Sequence, residues 1–266
     1  MAKFRIACHV CTWGEFTASH IEPVFRQIAD AGYEGVEGFS VNSTDELVDI
    51  AALAHSFGLH VVMAHSRTPG QTIRYNAALG NRTCEVWQGY VEDYGWPGVS
   101  REEMFNRISR YFEPIFKEAS RYGIGLHQHI HLNQPMETID DIELMLGKMP
   151  KMGILLDTGH LVAAGGNAMD VLSKYGDRIP HVHLKDFHRG PSWDVKNKTF
   201  EENYFVPLGQ GNCGLDVGAV LRKLEEIDYD GWVSLELDYM GPLRANNAHV
   251  GTLIKQNREF VRSQGY

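Results

Sequence analysis

Short apolar runs alternate along the chain with polar turns and with stretches whose apolar residues recur every three or four positions. Phe4–Thr12 reads as a strand, and Ile21–Ala31 follows it as a helix. After the turn Ala31-Gly32-Tyr33 comes a second strand, Gly35–Phe39. Its helix opens on Ser43 with Glu46 three residues on, a capping box, and stops at Gly58. Leu59–His65 is a third strand. A weak helical pattern over Thr72–Leu79 and a poor strand over Thr83–Gln88 come next. Ser100 and Glu103 cap the clearest helix, whose apolar face is Met104, Ile108, Tyr111, Phe112, Ile115 and Phe116. The later strands are Gly125–His131, Met152–Asp157, His181–Asp186 and Trp232–Leu237. Helices are expected over Ile139–Lys148, Met169–Tyr175, Val217–Ile227 and Ala248–Ser263. Eight alternating strand–helix units predict a (β/α)8 TIM barrel in one domain, 1–266. A doubly wound open sheet is the alternative, but Cys11-Thr12-Trp13-Gly14-Glu15 after the first strand carries no glycine-rich dinucleotide loop.

A barrel places its active site at the carboxyl ends of its strands. Strand five ends in His127, His129 and His131, and strand six in Asp157. Strand seven carries His181, His183, Lys185 and Asp186, and strand eight ends in Glu236. Any one of these alone reads as an ordinary structural residue. A histidine or carboxylate closing each of four consecutive strands is a different matter. Two imidazoles and two carboxylates suit one divalent ion, Mn2+, Co2+ or Zn2+, with Mg2+ less favoured by imidazole ligands.

Composition narrows the field. Of 266 residues 43% are hydrophobic and 22% charged, which is ordinary globular material. The net charge of -9 is a poor match for nucleic acid. With no long apolar run and no signal-peptide layout, no membrane contact and a cytoplasmic location are expected. The four cysteines are too few and scattered for a disulfide scaffold. In a strand Cys8 and Cys11 would point to opposite faces, which argues against a zinc or redox pair.

The stretches Leu155-Leu156-Asp157-Thr158-Gly159-His160, His181-Val182-His183-Leu184-Lys185-Asp186 and Leu235-Glu236 resemble the sugar-phosphate isomerase/epimerase superfamily, the xylose isomerase-like TIM barrels. Within it the chain is most similar to inosose (2-keto-myo-inositol) dehydratases. His129-Ile130-His131 followed by Glu137-Thr138, the segment Thr12-Trp13-Gly14, and Ala163-Ala164-Gly165-Gly166 carry that likeness. The resemblance implies metal ligation by Asp157, His183 and Glu236. It also implies that His129 stands where the epimerases have a strand-five glutamate. Glu137 would be either the fourth ligand or a substrate contact, and His160 and Lys185 match substrate-facing positions. The implied activity is that of a divalent-metal-dependent lyase or isomerase acting on a small polyhydroxylated carbonyl compound through an enediolate, with His129, His131, His160 and Lys185 as candidate acids. The histidines on strand five move the expectation from epimerisation toward dehydration. A sugar or ketose isomerase or epimerase, including one like hydroxypyruvate isomerase, is the alternative, and an endonuclease IV-type nuclease the remote one. His9 and His65 form no evident second cluster of the kind the nuclease needs. The expected partner is a small sugar or inositol-derived substrate, unphosphorylated because no glycine-rich phosphate cradle is evident, and a homo-oligomer is compatible with the sequence.

The 186–215 connection, with His188, Arg189, Trp193, Lys196 and the turn Gly209-Gln210-Gly211, is longer than most loops. It reads as a water-excluding lid or else as a passive excursion or oligomer contact. Arg67 is a weaker candidate for substrate contact, and Trp13, Trp87 and Trp193 either wall the pocket or simply pack.

Overall fold

Eight parallel strands form one curled sheet in this computed structural model, which describes residues 2–14, 20–191, 193–194, 204–238 and 247–266. They are β1 Arg5–His9, β2 Gly35–Glu37, β3 His60–Val61, β4 Thr83–Glu85, β5 Gly125–His129, β6 Gly153–Asp157, β7 His181–Leu184 and β8 Trp232–Leu235. The hydrogen-bonded order is β3-β2-β1-β8-β7-β6-β5-β4. In-register pairs such as Cys8↔Leu235, Asp157↔His183 and His129↔Leu155 bring the strand ends to one rim.

The helices cover the outside of the sheet. They are α1 Ile21–Ala31, α2 Thr44–Ser56, α3 Pro69–Ala78, α4 Arg101–Arg121, α5 Ile139–Lys148, α6 Thr158–Ala163, α7 Ala168–Tyr175, α8 Val217–Glu226 and α9 Asn247–Ser263. Ser43, Thr68, Ser100 and Thr138 each accept a hydrogen bond from a backbone N–H of the first turn they precede. The apolar core lies between the layers: Phe25 and Ile28 of α1 and Ile108 and Phe112 of α4 are fully buried beside Val36, Val182 and Val233. Each such side chain contributes about 1.5–3 kcal/mol by leaving water.

No backbone pairing joins β3 to β4 among the described residues. Asparagines span the seam instead. Asn81 Nδ2 donates to Val61 O at 3.2 Å, and its Oδ1 lies 2.7 Å from His60 Nε2. Asn76 accepts from Ala64 N at 3.1 Å and donates to Ala64 O at 2.7 Å. These bonds satisfy part of two sheet edges that would otherwise present unpaired backbone groups.

Several expected elements are shorter or divided. β1 stops at His9, where a 3-10 turn, Val10–Trp13, begins. Expected strand two breaks at Gly38, whose φ of +96° is open to glycine, and resumes as Phe39–Ser40. Expected strand three divides into β3 and Ala64–His65, which pairs with Phe39–Ser40. β5 ends at His129 and leaves His131 beyond it. The helix expected from Thr72 starts at Pro69, because Thr68 caps it and proline suits its first position. α6 was not expected; Asp157 begins it by accepting from His160 N at 2.8 Å. The long connection contains an antiparallel pair, Asp186–His188 with Tyr204–Val206, and Lys196 lies outside the described residues.

The barrel interior is polar. Glu37, His127, His181, His183 and Ser234 are all buried there. Among the described residues no helix is long and apolar enough to cross a membrane.

Candidate metal centre

His129, Asp157, His183 and Glu236 come from β5, β6, β7 and the residue after β8. Each offers a ligand atom, and the four atoms lie within 4.8 Å of one another. His129 Nε2 is 3.3 Å from Asp157 Oδ2, and His183 Nδ1 is 3.8 Å from the same oxygen. His183 Nδ1 and Glu236 Oε2 are 2.6 Å apart, yet neither atom forms a hydrogen bond of acceptable geometry. In the metal-free protein the two are held as an ion pair, with Glu236 raising His183 toward its charged form against its burial. Two imidazoles and two carboxylates converging in this way are a donor set that fits a divalent ion, which would take the place of the proton between them.

Lys185 lies beside this group, fully buried. Its Nζ is 3.1 Å from Asp157 Oδ2, 3.0 Å from Glu236 Oε1 and 3.2 Å from Asp238 Oδ2. Burial disfavours its charge, but Asp157, Asp238 and Glu236 together hold its pKa well above the ordinary lysine value. Burial likewise opposes ionisation of Asp157 and Glu236. The Lys185 ammonium, helped by His160 at Asp157 and by His183 at Glu236, nonetheless holds both carboxyls well below their usual range. Behind the centre, Glu37 Oε1 lies 2.8 Å from His183 Nε2, and Glu37 Oε2 lies 3.0 Å from His181 Nε2. Of these two rings it is His181 that is hydrogen-bonded to Glu37, Nε2 to Oε1 at 3.3 Å.

The backbone of Leu132 fixes the tautomers of two adjacent histidines. His131 Nδ1 donates to Leu132 O at 2.7 Å, which leaves a lone pair on its Nε2. Leu132 N donates to His160 Nδ1 at 3.4 Å, which leaves the proton of neutral His160 on Nε2. The rings are 3.7 Å apart, and His160 Nε2 has no hydrogen-bond partner while standing 4.0 Å from Asp157 Oδ2 and 3.9 Å from Asp238 Oδ2. One ring nitrogen of the pair is thus an acceptor and its buried neighbour a donor.

The structure therefore gathers His129, His131, Asp157, His160, His183, Lys185 and Glu236. It does not bring Glu137 into the ligand group: that residue is half-buried before α5, with its N–H donating to Asp141 Oδ2 at 3.2 Å. Arg67 is exposed and bonded to Asn42. Trp13 is buried, Trp87 is exposed, and Trp193 packs on Phe187. Asp186 pins the base of the long connection by accepting from Gly209 N and Gly211 N. Glu37, Glu85 and Asp238 are not candidates on sequence alone, whereas His9 and Cys11 are named there without a role at the centre. His9 stands with Glu37 and His183, and also with Cys11 and Glu236, each grouping sharing a residue with the centre rather than forming a separate cluster. Cys11 lies in the 3-10 turn rather than a strand, and its Sγ reaches within 3.6 Å of Glu236 Oε1. The rule that found the centre, an ionisable residue closing a strand, also picks out His9, Glu37 and Glu85 when applied to the first four strands.

Burial lowers the pKa of His9, His65, His127, His129, His131 and His160, that of His131 to about 4, whereas His183 is raised by Glu236 and Glu37 against its burial. Below the ordinary imidazole value of about 6.5, the unfolded chain binds protons that the six lowered histidines refuse in the fold. Their contribution to stability is thus present above that pH and lost as pH falls; His183 alone works the other way. The melting temperature of the metal-free protein is expected to drop steadily from about pH 7 to about pH 5 on this linkage. A calorimetric series that stayed flat or rose would contradict it.

Comparison with known proteins gives the family and the fold. An inosose dehydratase of Lactiplantibacillus plantarum is 33% identical over 165 residues, 59% of this chain and 51% of that protein. The chain spans about half the length of the curated relatives it matches. An L-ribulose 3-epimerase superposes with a TM-score of 0.73 at 19% identity, over 99% of this chain and 94% of its own. A protein described as IOLI, with a bound zinc atom, superposes with a TM-score of 0.72 at 17% identity, covering 98% of each chain. The model of the xylose isomerase-like TIM barrel matches residues 25–264, and with eight parallel strands delivering their polar ends to one rim, the chain belongs to that family.

Proposed function

We propose that this protein is a divalent-metal-dependent lyase that removes water from a small cyclic polyhydroxy ketone of the 2-keto-myo-inositol kind. The observation that carries the reading is the convergence of His129, Asp157, His183 and Glu236 beside a buried ammonium and a histidine pair of opposite tautomers. The inosose dehydratase relatives support the substrate class.

A divalent ion held by the four ligands, Mn2+, Co2+ or Zn2+ by donor type, would act as a Lewis acid toward the ketone and its neighbouring hydroxyl. The rest falls to the chain. His131 Nε2, with its lone pair outward, takes the proton from the carbon beside the carbonyl. His131, now the imidazolium, returns that proton to the β-hydroxyl as the C–O bond breaks, so the oxygen leaves as water, while neutral His160 donates a hydrogen bond to it from Nε2–H. The electron pair of the lost C–H bond becomes the new C=C bond. Lys185 remains an ammonium, balancing the carboxylates throughout. Glu137, outside the ligand group, is assigned in this reading to a substrate hydroxyl rather than to the ion.

The test is turnover of 2-keto-myo-inositol by purified protein after chelation and after addition of each metal, with the product identified by mass. Loss of 18 mass units, the mass of one water, restored by Mn2+, Co2+ or Zn2+, is the expected result. A product of unchanged mass would favour the isomerase or epimerase reading, and turnover indifferent to chelation would remove the metal.

A further inference from the structure

We infer that His9 is a catalytic hydrogen-bond donor, presenting Nε2–H to a substrate oxygen at the metal centre; the inference rests on the dehydratase reading for the identity of that oxygen. His9 closes β1 on the inward-facing side of the barrel rim. One of its ring nitrogens lies within 4.8 Å of Glu37 and His183, and one within 4.8 Å of Cys11 and Glu236. Both groupings look like further metal sites, but the hydrogen bonding of His9 argues otherwise. Its Nδ1 accepts from Cys11 N at 3.2 Å, the bond that starts the 3-10 turn. With that lone pair engaged, the proton of the neutral ring sits on Nε2, and a protonated nitrogen donates rather than ligates.

The position of the ring is built. Gly38, at φ +96°, lies against it, and a Cβ there would come within 2.5 Å of His9 Cε1. The ring meets the ligand His183 edge to face, with centroids 5.5 Å apart. Among the described residues Nε2 has neither a hydrogen bond nor an ion pair. A half-buried donor, fixed on one side by backbone and open on the other beside the metal ligands, suits an oxygen that gains negative charge during reaction.

Two measurements test this. Long-range 15N–1H spectra of the metal-loaded protein should show His9 as the neutral Nε2–H tautomer near neutral pH. A protonated Nδ1, or a ring nitrogen shifted by metal, would overturn the donor. His9→Phe keeps the ring against Gly38 and should bind metal as the unaltered protein does, while kcat falls by about 100-fold or more, the usual effect of one lost donor to a developing oxyanion. His9→Gln, which retains an N–H, should recover part of that loss. Unchanged kcat in His9→Phe, or metal affinity falling together with kcat, would defeat the inference. No turnover of 2-keto-myo-inositol by the unaltered protein would remove the dehydratase reading alone, because the spectra decide the donor without a substrate.

Discussion

Asp157→Asn is expected to bind Zn2+ or Mn2+ at least about 100-fold more weakly than the unaltered chain, because removing even an outer-sphere partner commonly costs 10–100-fold, and to lose measurable turnover. One oxygen of Asp157 sits within reach of His129, His183 and Lys185, and the other caps α6 through His160 N. Asparagine keeps an oxygen for the cap and loses the charge. The variant should therefore fold, and metal titration separates ligand loss from unfolding. Asp157→Ala removes the cap as well and should melt lower than Asp157→Asn by about 1 kcal/mol of stability. Full metal affinity in folded but inactive Asp157→Asn would refute the ligand assignment.

The second large effect is on stability. In Lys185→Met the buried carboxylates of Asp157 and Glu236 lose their counter-charge, and so does the partly exposed Asp238. Breaking a buried pair from one side costs about 3–5 kcal/mol. In a chain of this size that lowers the melting temperature by on the order of 10 °C. The stem of Lys185 is packed against Gly159, where a Cβ would come within 2.6 Å of its Cγ. Methionine replaces the stem's bulk, so the expected loss is electrostatic. Saturating metal supplies positive charge to the same oxygens and should recover much of the difference. Scans with chelator and with excess Mn2+ check this: an equal drop in both would mean that packing, not charge, is what Lys185 contributes.

Much of this was legible in the chain. α1 and α5 fall where periodicity puts them, and α2 and α4 start where the caps Ser43 and Ser100 put them, since an amphipathic face and a capping residue are local features. Strand ends were harder. His9 and Gly38 end or break strands through a side-chain cap and a positive φ, neither of which alternation reveals. α6 stayed hidden because its starting cap, Asp157, had already been read as a ligand, and one residue does both. The centre was readable on strands five to eight, where His129, Asp157, His183 and Glu236 each close a strand. Glu37 was passed over because it lies in a run of small and apolar residues, Gly35-Val36-Glu37, that looks like plain core. The opposite tautomers of His131 and His160 could not be read at all, because a main-chain atom pair decides them.

That last feature bears on how such a protein changes over generations. The acceptor and donor faces of the histidine pair are assigned by the N–H and C=O of residue 132, not by its leucine side chain. Most substitutions at 132 that still pack would leave the division of labour intact, so the position can drift among descendants without marking itself as functional. Proline is the exception. Lacking an N–H, it would release His160 from its fixed tautomer while His131 kept its own. An alignment of side chains would score residue 132 as structural filler, although the path of the backbone there carries chemical information as heritable as any catalytic residue.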